Sequence, residues 1–250
     1  MGKVYVIGTC DTKEAELLYA KKLVEKAGAR AVLVDVSTSL GWVSKKADVS
    51  PAEVAALHPS APYFLEEIKD RGAAVAAMGE ALSVYLLLKR DVGGVLGLGG
   101  GGNTSMVTAA MRALPIGVPK LMVSTMASGN VAPYVGPTDI AMMYAVTDIA
   151  GLNAISRQVI GNAAHAIAGM ATKRVAKSKQ DKPGLGLTMF GVTTACVTQI
   201  RAALEKTQEC FVFHATGTGG QSMEKLVDSG LLSAVIDITT TEVADHLCGG

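Results

Sequence analysis

In Gly93-Gly94-Val95-Leu96-Gly97-Leu98-Gly99-Gly100-Gly101-Gly102-Asn103-Thr104-Ser105-Met106 an apolar strand runs into four consecutive glycines and then into the start of a helix. A strand, a glycine turn and a helix N-terminus in that order gather several unpaired backbone N–H groups at one point. The positive end of the helix dipole lies at the same point. The arrangement suits a parallel α/β sheet and attracts phosphate, so a nucleotide or a phosphorylated small molecule is the leading ligand class. Gly97, Gly99 and Gly102 satisfy G-x-G-x-x-G, the dinucleotide fingerprint. That fingerprint wants an acidic residue at the end of the next strand, whereas Lys120–Thr125 ends in Ser124 and Thr125. Gly97 and Gly102 followed by Asn103 and Thr104 also fit P-loop spacing, but Asn103 stands where the phosphate-binding lysine belongs. The competing reading is a tight strand-to-helix turn whose glycines serve close backbone packing.

The 250-residue chain has room for one large or two small domains, and its 49% hydrophobic and 4% aromatic residues reflect an excess of Ala, Val, Leu and Gly. That composition suits buried parallel strands with tightly packed helices. A formal net charge of +1 argues against a nucleic-acid surface. No uninterrupted apolar stretch is long enough to span a membrane, and Met1–Gly8 reads as a strand and not as a signal peptide. A cytoplasmic location, with neither nucleic acid nor membrane as partner, is the expectation. The four cysteines, Cys10, Cys196, Cys210 and Cys248, lack C-x-x-C spacing and read as free thiols. The four histidines, His58, His165, His214 and His246, show no metal-ligand pattern, and no protein-held metal is expected.

Strands and helices alternate along the chain. Val4–Ile7 and Ala31–Val36 read as strands flanking a helix over Lys13–Ala27, which Gly28 stops. Residues 37–75 break the rhythm as an excursion that holds Trp42. Within it, Ser50, Pro51 and Glu53 carry the cap, proline and early acid that open a short helix. A helix over Ala73–Lys89, a strand over Gly94–Leu98, a helix over Thr104–Ala113 and a strand over Lys120–Ser124 come next. Residues 128–148, with Gly129, Pro133, Gly136 and Pro137, begin irregularly, and Leu152–Val175 forms a long helix with small residues along one side. The fold expected is α/β, built as two Rossmann-like, doubly wound parallel-sheet subdomains with a cleft between them. The first covers 1–176, including the excursion 37–75 and the connecting helix 152–175. The second covers 184–250, beyond a polar linker at Lys177–Pro183.

The two sides of the linker parallel each other. Leu185–Phe190 and a helix over 195–206 answer Val4–Ile7 and its helix. Cys210–His214 with Gly217, Thr218, Gly219 and Gly220 answers the first glycine turn. Ala234–Ile238 with Thr239–Glu242 answers Leu121–Val123 with Ser124–Ala127. A doubly wound sheet seldom stops as soon after a strand as this one does, so the chain is expected to be cut from a longer protein.

Ligands of open α/β sheets bind beyond the carboxyl ends of the strands. The candidate lining from the first half is Gly8, Thr9, Asp11, Thr12, Asp35, Gly99, Gly100, Gly101, Gly102, Asn103, Thr104, Ser128, Gly129 and Asn130. From the second half it is Thr193, Thr194, Gly217, Thr218, Gly219, Gly220, Thr240 and Glu242. Rich in hydroxyls and backbone donors and poor in strong acids and bases, this set suits anion cradling better than proton transfer. Asp11 is either a helix cap or a ligand to a phosphate-bound Mg²⁺ through water. Asp35 is the candidate for a ribose or base contact, with a cap or turn role equally open. Cys10 lies at a helix start, where the dipole would depress its pKa. Lys13 and Glu14 read as solvated helix-face residues. No catalytic residue is assigned; His214 and Glu242 are the weak acid–base candidates, with a packed strand-end histidine and a helix cap as the competing readings. The elaborate Ser124–Asp139 segment reads as a binding element or a long structural connection.

Gly8–Glu14, the glycine turn, Pro119–Gly136 and Thr147–Asn153 together resemble a family of uncharacterised bacterial, fungal and plant proteins. Its best-known relatives are the plant tobamovirus resistance proteins, whose N-terminal region is an ATP-binding inhibitory domain. The resemblance covers essentially the whole chain and implies nucleotide, ATP with Mg²⁺, in the cleft between two Rossmann-like subdomains, and a homodimer. The family turn more often ends Ser-Gly-Gly-Thr, where this chain reads Gly101-Gly102-Asn103-Thr104-Ser105. Nothing in the residues supports binding of viral proteins. An enzyme acting on a phosphorylated or carboxylated small molecule in the same cleft is the alternative function.

Overall fold

Val4 and Val6 point to one side of their strand, Tyr5 and Ile7 to the other, and all four are buried. A strand buried on both faces belongs inside a parallel sheet with helices above and below. In the computed structural model, which describes residues 2–39, 43–62, 64–173, 175–176, 178 and 181–249, that is its place. Trp42 of the excursion and Lys177 of the expected linker lie outside the described residues. The chain forms two units, Met1–Arg174 and Val175–Gly250.

The first unit runs β1 (Lys3–Gly8), α1 (Cys10–Lys26), β2 (Arg30–Asp35), α2 (Pro51–Ala55), α3 (Phe64–Glu67), α4 (Arg71–Leu88), β3 (Val92–Gly99), α5 (Gly101–Ala113), β4 (Lys120–Ser124), α6 (Ala132–Val135), β5 (Ala141–Tyr144) and α7 (Ala154–Thr172). Every pairing is parallel, in the order β2-β1-β3-β4-β5. This is a doubly wound order whose direction of winding reverses between β1 and β3. One face of the sheet is covered by α2, α4 and α5, through Met78, Leu82, Leu86, Val107 and Met111. The other carries α1 and α7, through Leu17, Val24, Ile160, Ala164 and Ile167. By length and composition α4 could cross a membrane; here it packs as a core helix against α5 and the sheet.

Local signals account for the helix starts. Ser50 and Glu53 close a reciprocal capping box on α2, as their spacing predicts. Asp70 caps α4 through the Ala73 N–H at 2.7 Å, so that helix begins two residues earlier than the apolar pattern predicts. The sequence pattern assigns no element over Ile140–Val146; part of it is β5, short and without β-branched residues, added to the edge beside β4.

The second unit runs β6 (Gly184–Met189), α8 (Thr194–Leu204), β7 (Glu209–His214), α9 (Thr218–Asp228), β8 (Ala234–Ile236) and α10 (Thr241–Cys248), with a parallel sheet ordered β7-β6-β8. Both units are Rossmann-like. The order corrects the strand correspondence expected from the sequence. With β6 central, β7 takes the place of β2 and β8 that of β3, so the turn after β7 is not the positional counterpart of the glycine turn after β3.

The packing of the first unit is open to two tests. A Cβ on Gly97 would lie 2.4 Å from Met122 Sδ and 2.8 Å from Val107 Cγ1. Gly97→Ala therefore lowers stability by about 1–3 kcal/mol in urea unfolding, and an unchanged midpoint would contradict this packing. Asp91 accepts from Tyr5 Oη at 2.7 Å and pairs with Lys3 Nζ at 2.8 Å, which together hold its carboxyl below the usual range. A depressed folded-state pKa contributes stability above the unfolded value, lost as pH falls through the folded one. Asp91→Asn should cost about 1 kcal/mol at pH 7, with the gap to wild type closing as pH drops below about 4.

Candidate functional site

At the reversal between β1 and β3 the carboxyl ends of the two strands open into a cavity of about 510 Å³. Its walls come from Thr9 and the first turn of α1 (Asp11, Thr12, Lys13), the residues after β2 (Thr38, Ser39) and the start of α4 with the segment before it (Lys69, Arg71, Val75). The glycine turn (Gly100, Gly101, Gly102, Asn103) completes them.

The glycine run divides by function. Gly97 and Gly99 lie on the face that α5 covers, and a Cβ on Gly99 would sit 2.4 Å from Asn103 Cβ. Those two satisfy the packing reading. Gly100, Gly101 and Gly102 meet nothing closer than 3.6 Å, 3.8 Å and 3.8 Å, and none has a positive φ. Packing does not demand glycine there; the bare backbone opens on the cavity. Gly100 caps α5 with no side chain, and the first N–H to bond within the helix is that of Thr104, to the Gly100 carbonyl at 2.8 Å. The N–H groups of Gly101, Gly102 and Asn103 precede it and meet no side-chain cap among the described residues.

The neighbouring helix start differs. Asp35 is fully buried and does not reach the cavity, which corrects its reading as a ribose or base contact and leaves the cap or turn role. Its Oδ1 accepts from the Cys10 N–H at 3.0 Å, the Ser37 N–H at 2.9 Å and Ser37 Oγ at 2.5 Å. Ser37 Oγ in turn accepts from the Asp11 N–H at 3.1 Å. The donors of α1 are thus occupied from within, and Asp35 is a positioning residue. The expected activation of Cys10 is also corrected. Burial, and then the carboxylates of Asp35, Glu14 and Asp11, push its thiol well above the ordinary range.

Three cations border the cavity: Lys13, Lys69 and Arg71. None forms an ion pair among the described residues. All sit at helix N-termini, the end where the dipole disfavours positive charge. That placement is the one signal for them in the sequence, where Lys13 reads as solvated and neither Lys69 nor Arg71 stands out. An anion bound at α5 reverses the sign of that local cost.

Other expected residues fall elsewhere. Gly8 packs under Leu17 and Asn103 at the end of β1. Thr104 is buried behind the turn, bonded to Gly100 O at 2.8 Å and Ser124 Oγ at 2.6 Å. Ser128, Gly129 and Asn130 are exposed and off the cavity. Their segment is tied down structurally by Arg112 to the Pro133 and Tyr134 carbonyls and by the Lys120–Asp139 pair at 2.6 Å.

Magnesium does not fit as a protein-held ion. No three His, Cys, Asp or Glu side chains converge among the described residues, and Asp11, the one carboxylate on the cavity, stands among the three cations.

In the second unit the glycine turn before α9 is filled from within. Glu242 accepts the Gly217 N–H and, at 3.2 Å, the Gly220 N–H. Gly219 and Gly220 leave no room for a Cβ against the His214 carbonyl and the Glu242 carboxylate. Thr193 bonds Thr239 Oγ1 at 2.6 Å, Thr194 bonds the Gly191 carbonyl at 2.8 Å, and His214 stacks edge-on against Phe190 at 5.1 Å. Thr218 and Thr240 sit at the starts of α9 and α10. The expected second cradle is a carboxylate-capped helix, and Glu242 is its cap.

Residues 2–176 match the N-terminal domain, and residues 182–250 the C-terminal domain, of the uncharacterised protein family UPF0261. A UPF0261 protein of Rhizobium meliloti (strain 1021) is 56% identical over 250 residues, covering 100% of this chain and 62% of that protein. One from Clostridium tetani is 43% identical over 99% of this chain and 62% of its own length. The ToMV resistance protein Tm-1(GCR237) of Solanum lycopersicum is 41% identical over 99% of this chain, which spans 36% of it.

Thiol chemistry checks the corrected Cys10. With Ellman's reagent on the folded protein at pH 8, the exposed Cys196 and Cys248 react promptly and Cys10 only on unfolding; fast labelling of Cys10 would contradict its burial. In the second unit, Glu242→Ala is expected to destabilise by about 1–2 kcal/mol, read as earlier exchange of the α9 amides, with Glu242→Gln less affected.

Proposed function

The chain belongs to the uncharacterised protein family UPF0261, and we propose that it binds a nucleotide by its phosphates at the start of α5. The observation that carries this reading is the meeting of uncapped N–H groups and three cations without an ion pair among the described residues on one cavity at the β1/β3 reversal. Backbone donors at a helix N-terminus are a ready phosphate site, and Lys13, Lys69 and Arg71 add the charge that a P-loop lysine supplies in other folds. ATP is the nucleotide that the sequence resemblance implies, and Mg²⁺ would travel with it as the counter-ion of its own phosphates. The cavity holds one carboxylate and no histidine among the described residues, which favours binding over rapid turnover. A sugar phosphate in the same cavity is the second reading, favoured by its size, which sits within the usual range for small ligands.

Isothermal titration with ATP, with and without Mg²⁺, tests it. Saturable binding is expected, lost in Gly101→Asp and weakened about tenfold, equivalent to 1.4 kcal/mol, in the Lys69→Ala/Arg71→Ala double variant. Heat from ribose 5-phosphate with none from ATP would transfer the site to the second reading.

A further inference from the structure

β8 (Ala234–Ile236) pairs on one side only, parallel to β6, with Ala234, Val235 and Ile236 opposite Leu185, Gly186 and Leu187. No strand among the described residues lies along its other edge. Its counterpart in the first unit, β3, is flanked by β1 and β4, and every β3 residue after Val92 is buried. All three β8 residues are exposed, Val235 at 37% and Ile236 at 36%, although the β6 residues opposite them are buried. The helices that follow these strands differ in the same way. α5 buries Met106, Val107, Ala110 and Met111, whereas α10 buries nothing. Val243 and Leu247, one turn apart on α10, are 52% and 76% exposed and border a cavity of about 300 Å³ that Met223 of α9 also lines. Folded proteins guard an open sheet edge with charge, proline or a cover; β8 itself carries neither charge nor proline.

The first unit shows what covers such an edge. There β3 passes through α5 into β4, which pairs parallel along the side of β3 away from β1. Right-handed crossovers fix that placement, and β8 with α10 repeats its first two members. The next parallel strand of such a unit lies along the outer edge of β8, with α10 packed across it. The relatives have chain to supply one, since this chain spans 62% of both the Rhizobium meliloti and the Clostridium tetani proteins. We infer that the outer edge of β8 and the apolar side of α10 form one docking surface, and that its occupant is a parallel β-strand from the part of the relatives that this chain does not span. Buried on both faces, that strand is apolar throughout and rich in Val and Ile. It takes up the unpaired N–H and C=O groups of β8 and covers Val235 and Ile236. It also gives Val243 and Leu247 the apolar neighbours that Val107 and Met111 have in the first unit.

Amide hydrogen exchange of residues 234–236 and 241–248 is compared between this chain and the aligned positions of the full-length Rhizobium meliloti protein. Exchange is expected to be about tenfold or more slower in the longer protein. Lysine is then introduced as Leu247→Lys here and at the aligned position there. The urea midpoint of this chain should stay where it is, because the side chain is exposed, while that of the longer protein falls. If the longer variant does not fold, the exchange comparison decides alone. Equal exchange in the two proteins, or a longer protein indifferent to the lysine, would overturn the assignment. So would protection of β8 that grows with the concentration of this chain by itself, since the occupant would then be a second copy.

Discussion

Gly97 and Gly99 lack side chains on the face of β3 that α5 covers, and the space is taken by Met122, Val107 and Asn103. This close approach sets how near the first turn of α5 comes to the end of β1, and so where its N–H groups lie. A side chain at either position would lift the helix start away from the sheet, and the cavity between β1, β3 and α4 would lose its floor. Asp35 makes the matching constraint on the other side by binding α1 at its first turn. One helix start is closed by a carboxylate from within the fold, and the adjacent one is left open.

The two units dispose of the same problem in different ways. A helix that begins after a glycine turn exposes donors, and something has to accept from them. In the second unit the acceptor is Glu242, tethered by the chain itself. In the first, the α5 donors are met by no side chain among the described residues, and positive charge is gathered around them. The contrast makes the open start a feature of the first unit in particular and not a by-product of a glycine-rich turn.

Much of this is legible in the residues. The alternation of apolar strands and amphipathic helices, the capping box of Ser50 and Glu53 and the strand–turn–helix at Gly97–Thr104 are local patterns, and local physics makes them. The short edge strand at Ala141–Tyr144 is not legible, because its stability comes from pairing with β4 and not from its own propensity. Lys69 and Arg71 escape notice because the excursion, which reads as a detour, returns to the site as the start of α4. Asp35 and Glu242 stay open between ligand contact and cap in the sequence, because a carboxylate at a strand or helix end looks the same whether it serves a ligand or the backbone of a distant turn. Only the pairing of residues remote in sequence, Asp35 with Cys10 and Glu242 with Gly217, tells the two apart.

The split within the glycine run also bears on how such a chain can change over evolutionary time. At Gly97 and Gly99 a substitution is eliminated at the level of folding, whatever the protein is used for. At Gly101 and Gly102 alanine is structurally permissible, so under the proposed function drift there is restrained by the ligand and not by the fold. A descendant lineage that kept the first pair and let the second wander would retain an intact scaffold and give up the binding proposed for it. The four positions therefore form a record, two of ancestry and two of use.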